Sequence, residues 1–291
     1  MEAFYTNKTR KIVLNSIADK IKLWCFGDIH RFTRSCDEDR WKWFLKKAKD
    51  QHDNNTFYLG MGDYQDFASA KEQKILKSAG LHAGTTEDFD DLVKKRNRAL
   101  CSEMAFMKPN VLGLLDGNHN WVFKDGRTAT EDMADRLMTE YLGWLCHFTL
   151  HVEFHYNGSR VKSINIYIVA CHGKAGGKTA GASVNQLDDA SRIFPLSDLI
   201  VFGHDHNRLA RPVDILIPVT CTHTGEVEIK QKRQFLCRSG SFKKGYTPDT
   251  SGYEIGRLLR PADLGALFLE IGFHRNQKDG KDSLITDIIA I

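Results

Sequence analysis

The chain has 291 residues, 42% hydrophobic and 27% charged, an ordinary globular balance with enough length to bury a sizeable core. Its net charge of +4 is too mild to mark a dedicated nucleic-acid binder, and no apolar run approaches the roughly 20 residues of a membrane-spanning helix. Seven scattered cysteines without a CxxC pair argue against a disulfide framework, and MEAFYTNKTRKIVLN has no apolar leader, so the expected location is cytoplasmic.

In chain order, Ile21 to Phe26 is a short apolar run that stops at Gly27. Ser35 to Glu38 has capping-box spacing, and Trp41, Phe44, Leu45 and Ala48 follow at helical spacing. Thr56 to Leu59 predicts a second strand, stopped by Gly60 and Gly62. Phe89, Leu92, Val93, Leu100 and Met104 predict a helix over 87–106. Val111 to Leu115 predicts a third strand before Gly117, and Thr130 is placed to cap a helix carrying Met133, Leu137 and Tyr141. Phe148, Leu150, Val152, Phe154 and Tyr156 alternate with polar residues, Asn157-Gly158 is a type I′ turn signal, and Val161 to Ala170 returns. Leu199 to Phe202 predicts another buried strand, and the remainder is strand-rich, including Val227 to Leu236 and Leu264 to Phe273. With no repeat and no linker, the expectation is one domain over 1–291. Helix–strand alternation followed by hairpins predicts an α/β fold of two packed sheets flanked by helices.

Each strand ending near Phe26, Leu59, Leu115, Ala170 and Phe202 is followed within a few residues by a metal-ligating type. These are Asp28 and His30, Asp63, Asn118, His172, then His204 and His206. Sites in open α/β sheets collect at the carboxyl ends of strands. Glycines 27, 62, 117 and 203 directly precede ligands, where close backbone approach favours a residue without Cβ. Asp28 and His30, two apart, would point to one side of an extended segment, as would His204 and His206. Mixed Asp/His ligation without cysteine suits manganese, with iron, zinc or nickel as alternatives, over an all-oxygen calcium site.

The segments GDIH, GDYQD, GNHN, HG and GHDH, in that order over 27–206, resemble the five motifs of the calcineurin-like metallophosphoesterase family. The resemblance implies a two-sheet β-sandwich with helices outside, four layers in the order α/β/β/α, and the C-terminal strands are expected to complete the second sheet. It implies two divalent metal ions, one held by Asp28, His30, Asp63 and His206. Asp63 would bridge to a second, held with Asn118, His172 and His204. His119 is similar to the family's unliganded histidine, which contacts the substrate phosphate and protonates the leaving group. Such a pair of ions activates a water for in-line attack on phosphorus.

Two departures from the family pattern carry expectations. Asn120 follows His119 where many members have an acid, which predicts a weaker general acid and a preference for good leaving groups. Phe67 follows Asp66 where the phosphoprotein-phosphatase branch has a phosphate-gripping arginine, which speaks against that activity. Asp66 itself reads equally as a metal-shell partner or a turn-stabilising carboxylate. Lys174 and Lys178, after His172, are candidates to touch substrate phosphate beside Asn118 and His119. The stretch HGKAGGKT misses the P-loop pattern by one position. His147, His151 and His155 recur every fourth residue, but on a strand such neighbours lie about 13 Å apart and cannot share an ion. Gly240-Ser241-Phe242 is a candidate to return near the site. The expected activity is metal-dependent phosphoester hydrolysis, leaning to a phosphodiesterase with a nucleic-acid or nucleotide substrate and no membrane partner. The alternatives are a phosphomonoesterase and a non-catalytic scaffold.

Overall fold

The computed structural model describes residues 4–67, 70–78, 83–156, 159–174, 180–220, 225–246, 255–256, 258, 260–278 and 281–290. The elements run β1 (Tyr5–Leu14), β2 (Ile21–Phe26), α1 (Glu38–Asp50), β3 (Thr56–Gly60), α2 (Ala70–Ser78), α3 (Ala83–Glu103), β4 (Val111–Leu115) and α4 (Ala129–Leu137). They continue with β5 (Tyr141–Gly143), β6 (Leu145–Tyr156), β7 (Ser159–Cys171), α5 (Ala180–Ile193), β8 (Leu199–Phe202), β9 (Arg208–Thr220), β10 (Val227–Ser239), β11 (Leu267–Lys278) and β12 (Lys281–Ala290).

Two mixed six-stranded sheets form, in the orders β1-β6-β7-β8-β10-β9 and β12-β11-β2-β3-β4-β5. Strand β2 shows why its sequence is a continuous apolar run. Ile21, Leu23 and Cys25 face the core between the sheets with Leu150, Ile166, Ile168 and Val201. Trp24 and Phe26 face outward, under Trp41, Phe44 and Ala48 of α1. A strand buried on both faces has no polar side to alternate with. Leu100 of α3, Met104 just past its end, and Met133 and Leu137 of α4 add to that outer layer. On the far side, Leu187 and Ala190 of α5 cover Val169, Ile200 and Leu236. The order is therefore α/β/β/α, an α/β fold with a two-sheet core.

The C-terminal strands divide between the sheets instead of completing only the second. β10 pairs parallel with β8, and β9 pairs with β10. β11 pairs antiparallel with β2, and β12 with β11. Each of β8 and β2 has one unpaired side until these strands arrive, and ladder groups left open there would be buried without partners.

Local signals shift by a turn or less. Asp37, not Ser35, caps α1: its carboxylate accepts from the backbone of Arg40 at 3.0 Å. Ser35 instead pairs its hydroxyl with that of Thr33 at 2.9 Å. Thr128, not Thr130, caps α4, with Glu131 completing the capping box. The Asn157-Gly158 turn lies outside the described residues.

The arrangement matters for function at one rim. Strands β2, β3 and β4 are mutually parallel, as are β7 and β8. The loops that follow these five strands meet where the two sheets come together.

Candidate metal centre

The loop after β2 is zipped onto the loop after β3. Asp28 donates its N–H to Gly62 O at 2.9 Å, and Ile29 and His30 donate theirs to Asp63 O at 2.9 and 3.1 Å. Asp28 and His30 are not extended as their spacing suggested. Their φ values are +47° and +48°, and Asp63, His204 and His206 also lie in the left-handed region at +48°, +66° and +55°. Non-glycine residues there cost roughly 1–3 kcal/mol each and are held only when the surroundings over-determine them. Here the backbone bonds between loops, with Ile29 fully buried, impose the turn that aims both side chains inward.

Gly62 and Gly117 are required by close approach. A Cβ on Gly117 would stand 1.9 Å from Asp63 Oδ1, and one on Gly62, at φ +95°, 2.6 Å from His172 Nδ1.

Each carboxylate has one oxygen tied to backbone and one open to the centre. Asp63 Oδ1 accepts from His119 N at 2.9 Å. Its Oδ2 faces Nε2 of His172 at 3.3 Å and Nε2 of His30 at 3.9 Å. Asp28 Oδ2 accepts from His204 N at 2.8 Å, while Oδ1 lies 3.4 Å from His206 Nε2. His172 is fixed by its Nδ1, 2.8 Å from Met61 O. That carbonyl can only accept, so Nδ1 carries a proton, and Nε2 is the ring atom left for a cation or a second proton. Nε2 faces Asp63 Oδ2, Asn118 Oδ1 at 3.0 Å and His204 Nδ1 at 3.1 Å.

Asp28, Asp63, His172 and His204 bring ligand atoms within 4.8 Å of one another, and so do Asp28, His30 and His206. Asn118 joins through His172. The buried atoms Asp28 Oδ1 and His30 Nε2 have no hydrogen-bond partner. Buried polar atoms without partners are rare, and such a convergence of ligand atoms fits divalent cations. The electrostatics show the same demand for positive charge. Burial pulls the His172 imidazole down, but Asp63 beside it outweighs this and pushes it up to about 9. Burial would raise Asp63, yet His172, His30 and His119 hold it far below the usual carboxylate range. Burial and His172 together push His204 down to about 4.

His119 has an acid beside it although Asn120 is not one. Its Nδ1 lies 2.7 Å from Asp66 Oδ1, and Asp66 Oδ2 lies 3.3 Å from Nδ1 of His30. Burial would lower His119, but the bond to Asp66 and the charge of Asp63 raise it above an ordinary histidine. The acid that Asn120 lacks is supplied by Asp66, three residues after Asp63. Asn120 turns away to bond Asp116 and to accept from Thr130 N at 3.2 Å. The side chain of His119 is 25% exposed.

The return of residues 240–242 takes a specific form. Ser241 Oγ and Phe242 N both donate to Asp28 O, at 3.0 and 2.9 Å. Sequence reasoning missed Arg238. It is fully buried, donating to Gly203 O at 2.9 Å, Ser183 O at 2.9 Å and Gln186 Oε1 at 3.1 Å. Arg238 lies in a strand with no motif around it, and only the topology brings β10 beside β8. Lys174 is exposed, and Lys178 lies outside the described residues. His151 and His155 flank Glu153 at 3.4 and 2.9 Å on the outer face of β6, remote from the centre.

No family profile and no curated protein matches the sequence. Three solved structures are similar to the chain at low scores. Vacuolar Protein Sorting 29 from Cryptosporidium parvum is 11% identical, covering 94% of this chain and 99% of that one, with TM-score 0.32. A conserved uncharacterized protein (predicted phosphoesterase) from Streptococcus pneumoniae TIGR4 is 11% identical, covering 94% and 99%, with TM-score 0.30. GAP50, the anchor in the inner membrane complex of Plasmodium, is 11% identical, covering 93% and 84%, with TM-score 0.36. Among the described residues, no helix is long and apolar enough to cross a membrane.

Proposed function

We propose that the protein is a phosphoester hydrolase that holds two divalent metal ions, manganese first among them, and acts on phosphodiesters of nucleic acid or nucleotide type. The observation that carries this reading is His172: with Nδ1 on Met61 O, its Nε2 meets Asp63 Oδ2, Asn118 Oδ1 and His204 Nδ1. Such a buried convergence of ligand atoms is held in the metal-free protein by a proton on His172, whose place a divalent cation would take. Asp28, His30, Asp63 and His206 would hold one ion, and Asp63, Asn118, His172 and His204 the other. Bound there, the ions would neutralise phosphoryl oxygens and lower the pKa of an attacking water.

The chain's own residues supply the rest. Asp66 orients His30 and His119 together. His119, whose proton affinity Asp66 and Asp63 raise, would contact the phosphoryl group and deliver a proton to the leaving oxygen. Phe67, standing where a phosphate-gripping arginine would suit a phosphoprotein, supports the diester preference.

Calorimetry with Mn²⁺ tests the centre, and parallel assays on bis-p-nitrophenyl phosphate, p-nitrophenyl phosphate and single-stranded DNA test the substrate. Two equivalents of bound metal and turnover of the diesters are expected. Turnover of the monoester alone overturns the diester preference. No bound metal by elemental analysis and no turnover would leave a scaffold of the same fold.

A further inference from the structure

We infer that Arg96 holds a second phosphate of a single nucleic-acid strand, next to the one the metal centre would cleave. The assignment rests on the reading of the centre as a phosphodiester site, and it names a recognition residue that the motifs do not contain.

Two aromatic rings stand beside the centre. Phe32 follows the candidate ligand His30 by two residues, and Phe67 directly follows Asp66. Their loops are tied together: Arg31 donates its N–H to Tyr64 O at 3.0 Å and forms a parallel bridge with Gln65. Phe67 lines the same cleft as Asn97, Gly117 and His119. Helix α3 is pinned to this region at Asn97, which is fully buried. Its side chain accepts from Gln65 Nε2 at 2.5 Å and donates to Ala129 O at 2.9 Å. Arg96 is the residue before that anchor. Its Cζ stands over both rings, 5.6 Å from the centroid of Phe67 and 5.9 Å from that of Phe32.

Two arginines meet at Phe32, and they differ in what their donors do. Arg31, with Cζ 4.8 Å from the ring centroid, commits its guanidinium to Glu38 and Glu103 at 2.9 Å each. Arg96 is half-buried and, among the described residues, has no hydrogen bond and no ion pair. The rings alone hold its head. A cation over a ring is attracted by the π-electrons, and that attraction uses no N–H. The donors of the guanidinium therefore stay available, in the planar fork that matches a phosphate. Arg96 reaches the cleft across Phe67 and not from among the metal-ligating side chains. The phosphate it takes is thus a neighbour of the one over the metals. Lys94, Lys95 and Arg98 are exposed on the same helix, so the positive charge continues along α3 as a strand backbone requires.

The test is fluorescence anisotropy of a labelled oligothymidylate with the full chain in EDTA, which reads binding without turnover. Arg96→Gln is expected to weaken binding about tenfold, the loss of a charge-assisted hydrogen bond. It should also flatten the plot of log affinity against log salt by about 0.7, the value of one phosphate contact on a single strand. Arg96→Lys should keep that slope and lose part of the affinity. Arg192→Gln, on α5 against the other sheet, should change neither. The melting temperature of Arg96→Gln should match wild type. With Mn²⁺ present, Arg96→Gln should raise KM for the oligonucleotide and leave KM for bis-p-nitrophenyl phosphate, which has a single phosphate, within twofold. Oligonucleotide affinity within twofold of wild type in Arg96→Gln overturns the assignment, as does an unchanged salt slope or an equal rise in KM for both substrates. Wild-type protein that binds no oligonucleotide overturns it too. Wild-type protein that binds the oligonucleotide but takes up no Mn²⁺ is the separate outcome that sinks the metal-centre reading.

Discussion

The two oxygens of Asp66 are divided between two histidines: Oδ1 lies 2.7 Å from Nδ1 of His119, and Oδ2 lies 3.3 Å from Nδ1 of His30. One carboxylate thus sets the ring orientation of a candidate ligand and of a candidate acid. The two cannot be tuned independently. Loss of Asp66 should disturb metal affinity and proton donation together.

The first prediction separates proton donation from binding. His119→Ala should slow esters with alkoxide leaving groups about 10²–10⁴-fold, the range for a positioned general acid. Activated aryl esters should slow far less. Asp66→Asn should act in the same direction and also weaken the Mn²⁺ isotherm through His30. Rates measured across a leaving-group series decide the point. Equal slowing at every leaving-group pKa would mean that His119 binds phosphate without donating a proton.

Gly117→Ala should prevent the centre from assembling. Its Cβ would sit 1.9 Å from Asp63 Oδ1 and 2.2 Å from Asp63 N, both far inside contact. Relief requires moving the motif that holds the bridging carboxylate. Overpacking of this kind costs about 1–3 kcal/mol or more, and Mn²⁺ uptake should fall with it. Gly84→Ala, whose Cβ meets nothing within 4 Å in helix α3, is the control and should leave the thermal melt unchanged or slightly raised. A Gly117→Ala protein with wild-type melting and metal content would disprove the packing argument.

Arg238→Leu should destabilise the fold by about 3 kcal/mol or more, because it removes a fully buried guanidinium that ties together several acceptors. These are the carbonyls of Gly203 and Ser183 and the amide of Gln186. The loss should appear as a lower urea midpoint. Lysine should not rescue it, because one ammonium cannot span acceptors on α5 and on the loop before His204 in the same plane. A midpoint equal to wild type would show that water replaces the guanidinium.

Asp37→Ala should cost about 1 kcal/mol of stability, the usual value of an N-cap, whereas Ser35→Ala should cost less. The Asp37 effect depends on pH with a definite sign. Burial would raise this carboxyl, but the Arg40 N–H and Lys244 pull it below its ordinary value. Its contribution is therefore complete above about pH 4, the unfolded value, and is lost as pH falls through the folded one. Denaturation of wild type and variant at neutral and acid pH should show the gap closing on acidification. A constant gap would place the effect in packing.

The centre was more legible in the sequence than the frame around it. Asp28, His30, Asp63, Asn118, His172, His204 and His206 follow strands whose double burial leaves short apolar runs, and a glycine marks several of the turns. Strand β1 gave no such signal: most of YTNKTRKIVL is exposed or half-exposed, and its pairing with β6 joins residues 140 apart, Tyr5 with Leu145. Asp66 was visible but ambiguous, because its role depends on the side-chain direction of His119. Arg238 was hidden for a topological reason. It becomes meaningful only when β10 is laid against β8.

The contact of residues 241–242 with Asp28 also sets an order of events during synthesis. The carbonyl of Asp28 is held by Ser241 and Phe242, and β8, which leads into His204, is flanked on one side by β10. A nascent chain that has just emerged past His206 already contains all seven candidate ligands, yet neither support exists. The centre can close only after some 35 further residues have been added. Closure of the candidate centre is thereby deferred until β10 and Ser241 have been made, and an arrested fragment ending before Ser241 would carry every motif without a formed site.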